Sequence, residues 1–126
     1  MSTDPATDPA LDSGALRDLF DLLGDDREAL AEIVDAFLDE APLRLAELRD
    51  GLSDGDAALV GRAAHTLKAN AATFGARVLE ASSRALEETA RAGDLAGAAA
   101  AVAAVASSWA ATEPLLVELK ERSPAA

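Results

Sequence analysis

Cysteine is absent from this 126-residue chain, which excludes disulfides and every cysteine-based metal site. That absence suits the cytoplasm, where thiols stay reduced, and a cytoplasmic location is expected. Aromatic residues make up only 3% of the sequence, with no tyrosine, one tryptophan and three phenylalanines. No run of β-branched residues alternates with polar ones, so nothing reads as a half-buried strand. Positive charge is scarce: 11 Lys and Arg face 23 Asp and Glu, for a formal net charge of −12. Such a chain repels nucleic-acid phosphates and anionic membrane surfaces, so neither is an expected partner. The acidic, polar N-terminus is unlike a secretory leader. No glycine-rich phosphate loop follows a strand. With a single histidine and no Glu-x-x-His pair, no metal site is expected.

What the chain has is helix-forming residues. Half of it is hydrophobic, enough for the core of one domain, and the wealth of Ala, Leu and Glu favours helices. Residues 1–12, with Pro5, Pro9, Asp4 and Asp8, read as a flexible tail, and 124–126 as a short C-terminal tail. A domain is expected over 13–123. Its first helix is short, with Ser13 as N-cap and Gly24 at its end. The second starts near Asp25 or Asp26 and carries the stripe Leu30, Ile33, Val34, Phe37, Leu38, Leu45 and Leu48. Pro42 is expected to kink or break it, and Gly51 to end it. Ser53-Asp54-Gly55-Asp56 is a turn with capping residues. A third helix follows and stops at Gly75. A fourth runs from about Ala76 to Arg91, with Val78, Leu79 and Leu86 inward. A fifth, Ala-rich helix carries Leu95, Val102, Val105, Trp109, Leu116 and Leu119, with Pro114 as a possible kink or split. Its uncharged stretch from Leu95 to Thr112 approaches membrane-spanning length. The small and polar residues in that stretch, and the flanking Asp94 and Glu113, favour a packed bundle helix. The expected fold is all-α: an antiparallel up-down four-helix bundle with an additional short N-terminal helix.

The third helix holds the only histidine. At about 100° per residue, Val60, Ala64, Leu67, Ala71 and Phe74 share one side, and His65 points away from them. Around His65 lie Gly61, Arg62, Lys68, Ala69 and Ala72. The imidazole thus stands on the wet face between two cations, on a floor of very small side chains. Only two lysines occur in the chain, and one is a single turn from this histidine. A neutral imidazole nitrogen is a nucleophile near neutral pH, cations suit an arriving anion, and small residues let another protein come close. Gly61, costly inside a helix by about 1 kcal/mol relative to Ala, hints at close approach.

The run His65-Thr66-Leu67-Lys68, then Ala69, with Gly75 further on, resembles the histidine-containing phosphotransfer (HPt) family. The commonest family form is His-x-Leu-Lys-Gly followed by small residues and a Gly. Here Ala69 replaces the usual Gly, and Asn70 stands where Ser or Ala is common. Phe37-Leu38-Asp39-Glu40-Ala41-Pro42-Leu43 looks like the family's preceding helix, and the resemblance covers roughly residues 13 to 122. It implies that His65 is the phospho-acceptor, through Nε2, and that Lys68 stabilises the phosphoryl oxygens. Arg62 is implied as a helper or docking residue, with Gly61, Ala69 and Ala72 in the surface that a partner meets. Asn70, which projects to the side of His65, is expected to bond between helices. The implied partners are receiver domains of response regulators or hybrid histidine kinases. Their own site holds the Mg²⁺, so this chain is expected to need no cofactor, to lack autokinase activity and to act as a monomer. The alternative reading is a helical adaptor that binds signalling proteins without phosphotransfer; His65 and Lys68 favour the carrier.

Overall fold

The computed structural model describes residues 10–122. Among them the chain is entirely helical: α1 (Ser13–Leu22), α2 (Arg27–Asp54), α3 (Ala57–Thr73), α4 (Arg77–Arg91) and α5 (Leu95–Arg122). Of the expected tails 1–12 and 124–126, residues 1–9 and 124–126 lie outside the described residues. Leu11 and Asp12, assigned to the tail from composition, are anchored instead. Leu11 packs on the core, and the Asp12 amide donates to the Gly75 carbonyl at 2.9 Å.

Aspartates start α1, α2 and α3, each carboxylate accepting from a backbone N–H that has no partner within the first turn. Asp12 accepts from Ala15 N at 3.0 Å, Asp26 from Ala29 N at 3.1 Å and Asp56 from Leu59 N at 3.0 Å. The cap of α1 is therefore Asp12, and Ser13 is its first helical residue. The Ala15 N–H above all, together with the Arg77 guanidinium, holds the Asp12 carboxyl below its ordinary range.

Neither internal proline interrupts its helix. Pro42 and Pro114 stand on exposed positions of α2 and α5, which run unbroken past them. Each costs one backbone hydrogen bond, and the buried stripes on either side outweigh it. Gly51 is likewise no terminus: α2 continues to Asp54 and ends in left-handed Gly55. Gly51 is buried at the crossing with α3, where an added Cβ would lie 2.6 Å from Val60 Cγ2 and 3.1 Å from the Asp56 carbonyl oxygen. Gly51→Ala is therefore expected to destabilise the protein by about 1–3 kcal/mol through overpacking. Helix propensity alone would favour Ala by about 1 kcal/mol. Urea unfolding decides the sign.

The four longer helices close a ring, α2 on α3, α3 on α4, α4 on α5 and α5 back on α2, while α1 leans on α3. Inside the ring lie Val34, Phe37, Leu48, Val60, Leu67, Leu79, Leu86, Val105 and Leu116. Phe37 stacks on Phe74 at 5.5 Å and meets Trp109 edge-on at 5.2 Å, so three of the four aromatics are concentrated at one place in the core. Buried alanines, such as Ala41, Ala64, Ala71 and Ala98, replace bulk elsewhere and let the helices approach closely. Although α5 is long and apolar enough to cross a membrane, its Ala98, Val102, Val105, Trp109 and Leu116 stripe is buried in the protein.

Gly75 fixes the end of α3. Its φ of +66° is one that L side chains rarely adopt, and a Cβ there would meet Asp12 and Ala15 at 2.7–2.9 Å. The start of α1 is thereby seated on the α3–α4 turn, and the helix carrying His65 is held at both ends.

Candidate functional site

His65 lies near the middle of α3 with its side chain 56% exposed. The apolar set Val60, Ala64, Leu67, Ala71 and Phe74 is buried on the other side, as the helical projection predicts. What the projection does not contain is the partner beneath the ring. Glu87, on α4, is only 3% exposed, and its Oε2 lies 2.8 Å from His65 Nδ1. The same carboxylate accepts from Lys68 Nζ at 2.6 Å through Oε1, and its Oε2 is ion-paired with Arg91 Nη2 at 2.6 Å. One buried carboxylate thus gathers three cationic or potentially cationic groups from two helices.

An ionised carboxylate can only accept hydrogen bonds. Nδ1 therefore carries the proton in this contact, and in the neutral ring Nε2 keeps its lone pair. The Lys68 ammonium first, and then His65 and Arg91, hold the Glu87 carboxyl below the ordinary glutamate range, against the opposing effect of burial. The linkage has a definite sign. A lowered carboxylate value means that the folded state binds the proton less tightly than the unfolded chain does. The stability contributed by Glu87 is complete above the unfolded glutamate value near 4.5 and is lost as pH falls through the lowered one. Acid titration followed by circular dichroism is expected to show this loss, and a Glu87→Gln variant to show a shallower acid dependence below that value.

The other residues named from the sequence fall as follows. Arg62 is exposed and has no ion pair among the described residues. Ala69 and Ala72 are exposed on the His65 side of α3. Lys68 is half-buried and tied to Glu87; it is not a free cation beside the ring. Gly61 corrects the projection: it is buried, and an added Cβ would sit 3.8 Å from Ala90 Cβ of α4. It still lines an open groove of about 700 Å³ between α3 and the end of α4, shared with Arg62, His65, Ala90 and Arg91. Among the described residues Asn70 makes no bond between helices; its Nδ2 is buried without a partner there.

Glu87 and Arg91 escaped the sequence reading. A signal existed: Leu79, Ser83, Leu86 and Ala90 form the buried stripe of α4, and Glu87 falls inside it, four residues beyond Ser83. A carboxylate in such a stripe requires a partner, and Arg91 is one turn on. No cluster of three His, Cys, Asp or Glu side chains able to hold a metal ion occurs among the described residues.

A model of the Hpt domain family matches residues 32–121. Among solved structures, the crystal structure of histidine-containing phosphotransfer protein B (HptB) from Pseudomonas aeruginosa PAO1 is similar. The likeness covers 92% of this chain and 98% of that one, with a TM-score of 0.80 and 29% sequence identity. Comparison with curated protein sequences gives no significant match.

Proposed function

This chain belongs to the Hpt domain family, and on that premise we propose that His65 accepts a phosphoryl group from a receiver-domain aspartate and passes it to the aspartate of another receiver. The observation that carries this reading is the state of the ring. The chain's only histidine is more than half exposed, and its Nδ1 is engaged by buried Glu87, so Nε2 is the nitrogen available for attack. Lys68, held one turn away, supplies positive charge for the phosphoryl oxygens, and Arg62 stands at the groove beside it with no ion pair among the described residues. Ala69 and Ala72 provide a low surface on which a receiver seats its aspartyl phosphate, with Gly61 in the groove floor. Each added methyl on that surface would lengthen the reach between the two active groups.

The Mg²⁺ and the catalytic carboxylates belong to the receiver; this chain acts as a carrier, without a cofactor and without autokinase activity. We read residues 13–123 as one phosphotransfer domain, monomeric and cytoplasmic. Its four longer helices run up and down antiparallel, with α1 as the added short helix. The short links and the closed ring of contacts support that arrangement. Incubation with a phosphorylated receiver is the test. A carrier gains a label that is labile in acid and stable in base, as a phosphoramidate is. A protein that binds the receiver and stays unlabelled is an adaptor, and the proposal then fails.

A further inference from the structure

We propose that a second groove, lined by α1, the first turn of α2 and the last turn of α5, docks an acidic segment of a partner protein through apolar anchors. The groove is open and has a volume of about 430 Å³. Its floor is apolar: Leu16 and Phe20 from α1, Leu30 from α2 and Leu119 from α5. Leu30 is buried, and the other three are partly buried against the core. Phe20 is the one aromatic outside the cluster of Phe37, Phe74 and Trp109. No residue of α3 or α4 lines this groove, so the face around His65 stays open when it is filled. Docking there does not depend on what His65 does.

Charge selects the occupant. The chain has 23 acidic residues against 11 basic ones, yet the groove is lined by Arg17, Arg27 and Arg122 and by no carboxylate among the described residues. Elsewhere the arginines are claimed: Arg44, Arg77, Arg84 and Arg91 each meet a carboxylate at 2.6–3.3 Å. Arg17 and Arg27 are exposed and make no ion pair among the described residues, and Arg122 reaches Glu118 only at 3.9 Å. Arg27 also stands in the first turn of α2, where a cation opposes the helix dipole, so its charge does not serve that helix. Nucleic acid and anionic membrane present extended negative surfaces that meet the whole acidic chain. A short acidic segment meets the groove alone, since exposed charges beyond about 8 Å are largely screened at physiological salt. Small-molecule sites bury most of their ligand, which an open groove does not do. Arginine and aromatic side chains are the commonest energetic centres of protein interfaces. Leu16 and Phe20, one helical turn apart, offer the spaced apolar contacts on which a peptide segment seats. A partner tethered this way keeps its other surfaces at high effective concentration near the chain.

The test is a displayed library of random peptides of about twelve residues, three helical turns, selected on the full chain. A parallel selection uses the charge-reversed variant Arg17→Glu/Arg27→Glu. Peptides enriched on the wild type are expected to carry several Asp or Glu residues around two or more apolar ones, and not to enrich on the variant. An enriched peptide, made synthetically with a fluorophore, is expected to bind the variant at least about tenfold more weakly. The same peptide with Lys in place of its acids is expected to prefer the variant, which a misfolded variant would not produce. Amide NMR shifts of the wild type on adding the acidic peptide are expected in α1, the start of α2 and the end of α5. No acidic enrichment, equal binding to both proteins, or shifts centred on the His65 face overturns the proposal. If the variant fails to fold, the wild-type enrichment and shift map decide alone. A wild-type dimer in sedimentation that the charge reversal dissociates makes a second copy the occupant and overturns it. Tenfold tighter peptide binding by Asp4→Asn/Asp8→Asn makes the chain's own first residues the occupant and overturns it too.

Discussion

His65→Gln is expected to abolish phosphoryl acceptance completely while leaving the helical circular dichroism unchanged. Glutamine keeps an amide that can hydrogen-bond, but it has no nucleophilic ring nitrogen to form the P–N bond. The fold should not notice the change. The side chain is 56% exposed, and exposed substitutions away from caps and core contacts usually move stability by less than about 0.5 kcal/mol. Glu87 also stays paired, since Lys68 and Arg91 remain on it at 2.6 Å each; the variant therefore leaves no buried charge uncompensated, the condition that makes breaking such networks expensive. Label from a phosphorylated receiver, measured beside a circular dichroism spectrum, checks both halves. The chain has no second histidine, so undiminished label on the variant would move the acceptor to a different kind of side chain and end the carrier reading.

The outward direction of His65 was legible because it depends only on the period of one helix. Val60, Leu67, Ala71 and Phe74 define an inner side, and 3.6-residue geometry then fixes where residue 65 points. The long-range half of the site was not legible for a corresponding reason. Periodicity gives an angle about a helix's own axis and says nothing about which neighbour covers that angle. The edge of α3 that carries Gly61 and Lys68 projects toward water in isolation, yet α4 lies against it. Gly61 is consequently buried near Ala90, and Lys68 points at Glu87. Glu87 itself follows Leu86 directly, and an acid beside a leucine reads as the polar margin of a stripe until the opposing helix is in place.

Gly51 was misplaced by a different ambiguity. Glycine ends helices because it adopts left-handed backbone, as Gly55 does here with φ of +68°. It also serves where two backbones pass too closely for a Cβ, which is its role against Val60. The local sequence is compatible with both. Pro42 and Pro114 show propensity yielding to packing: a missing N–H costs a bounded amount, and a 28-residue helix with buried residues on both sides of its proline stays continuous. Asp12 in place of Ser13 as the cap of α1 is a shift of one residue between two good capping side chains.

Ala69→Leu is expected to slow phosphoryl transfer from a receiver by about a hundredfold without unfolding the protein. Residue 69 follows His65 by one helical turn and is exposed on the same side of α3, so a leucine there meets water in the free protein and a partner in the complex. The receiver's aspartyl phosphate must come within bonding reach of Nε2, and a displacement of about 1 Å at such a centre can cost roughly a hundredfold in rate. An isobutyl group standing on the docking floor imposes a displacement of at least that size. The chemistry at His65 is otherwise untouched, since Glu87, Lys68 and Arg91 lie on the α4 side of the ring. Labelling by phosphoramidate, which is small enough to pass the leucine, is therefore expected to fall far less than labelling by a receiver. The ratio of the two rates, more than either alone, measures docking apart from nucleophilicity. If both donors label Ala69→Leu at wild-type rates, the receiver approaches His65 from the groove side, over Arg62 and Arg91, and the floor formed by Ala69 and Ala72 is not its seat.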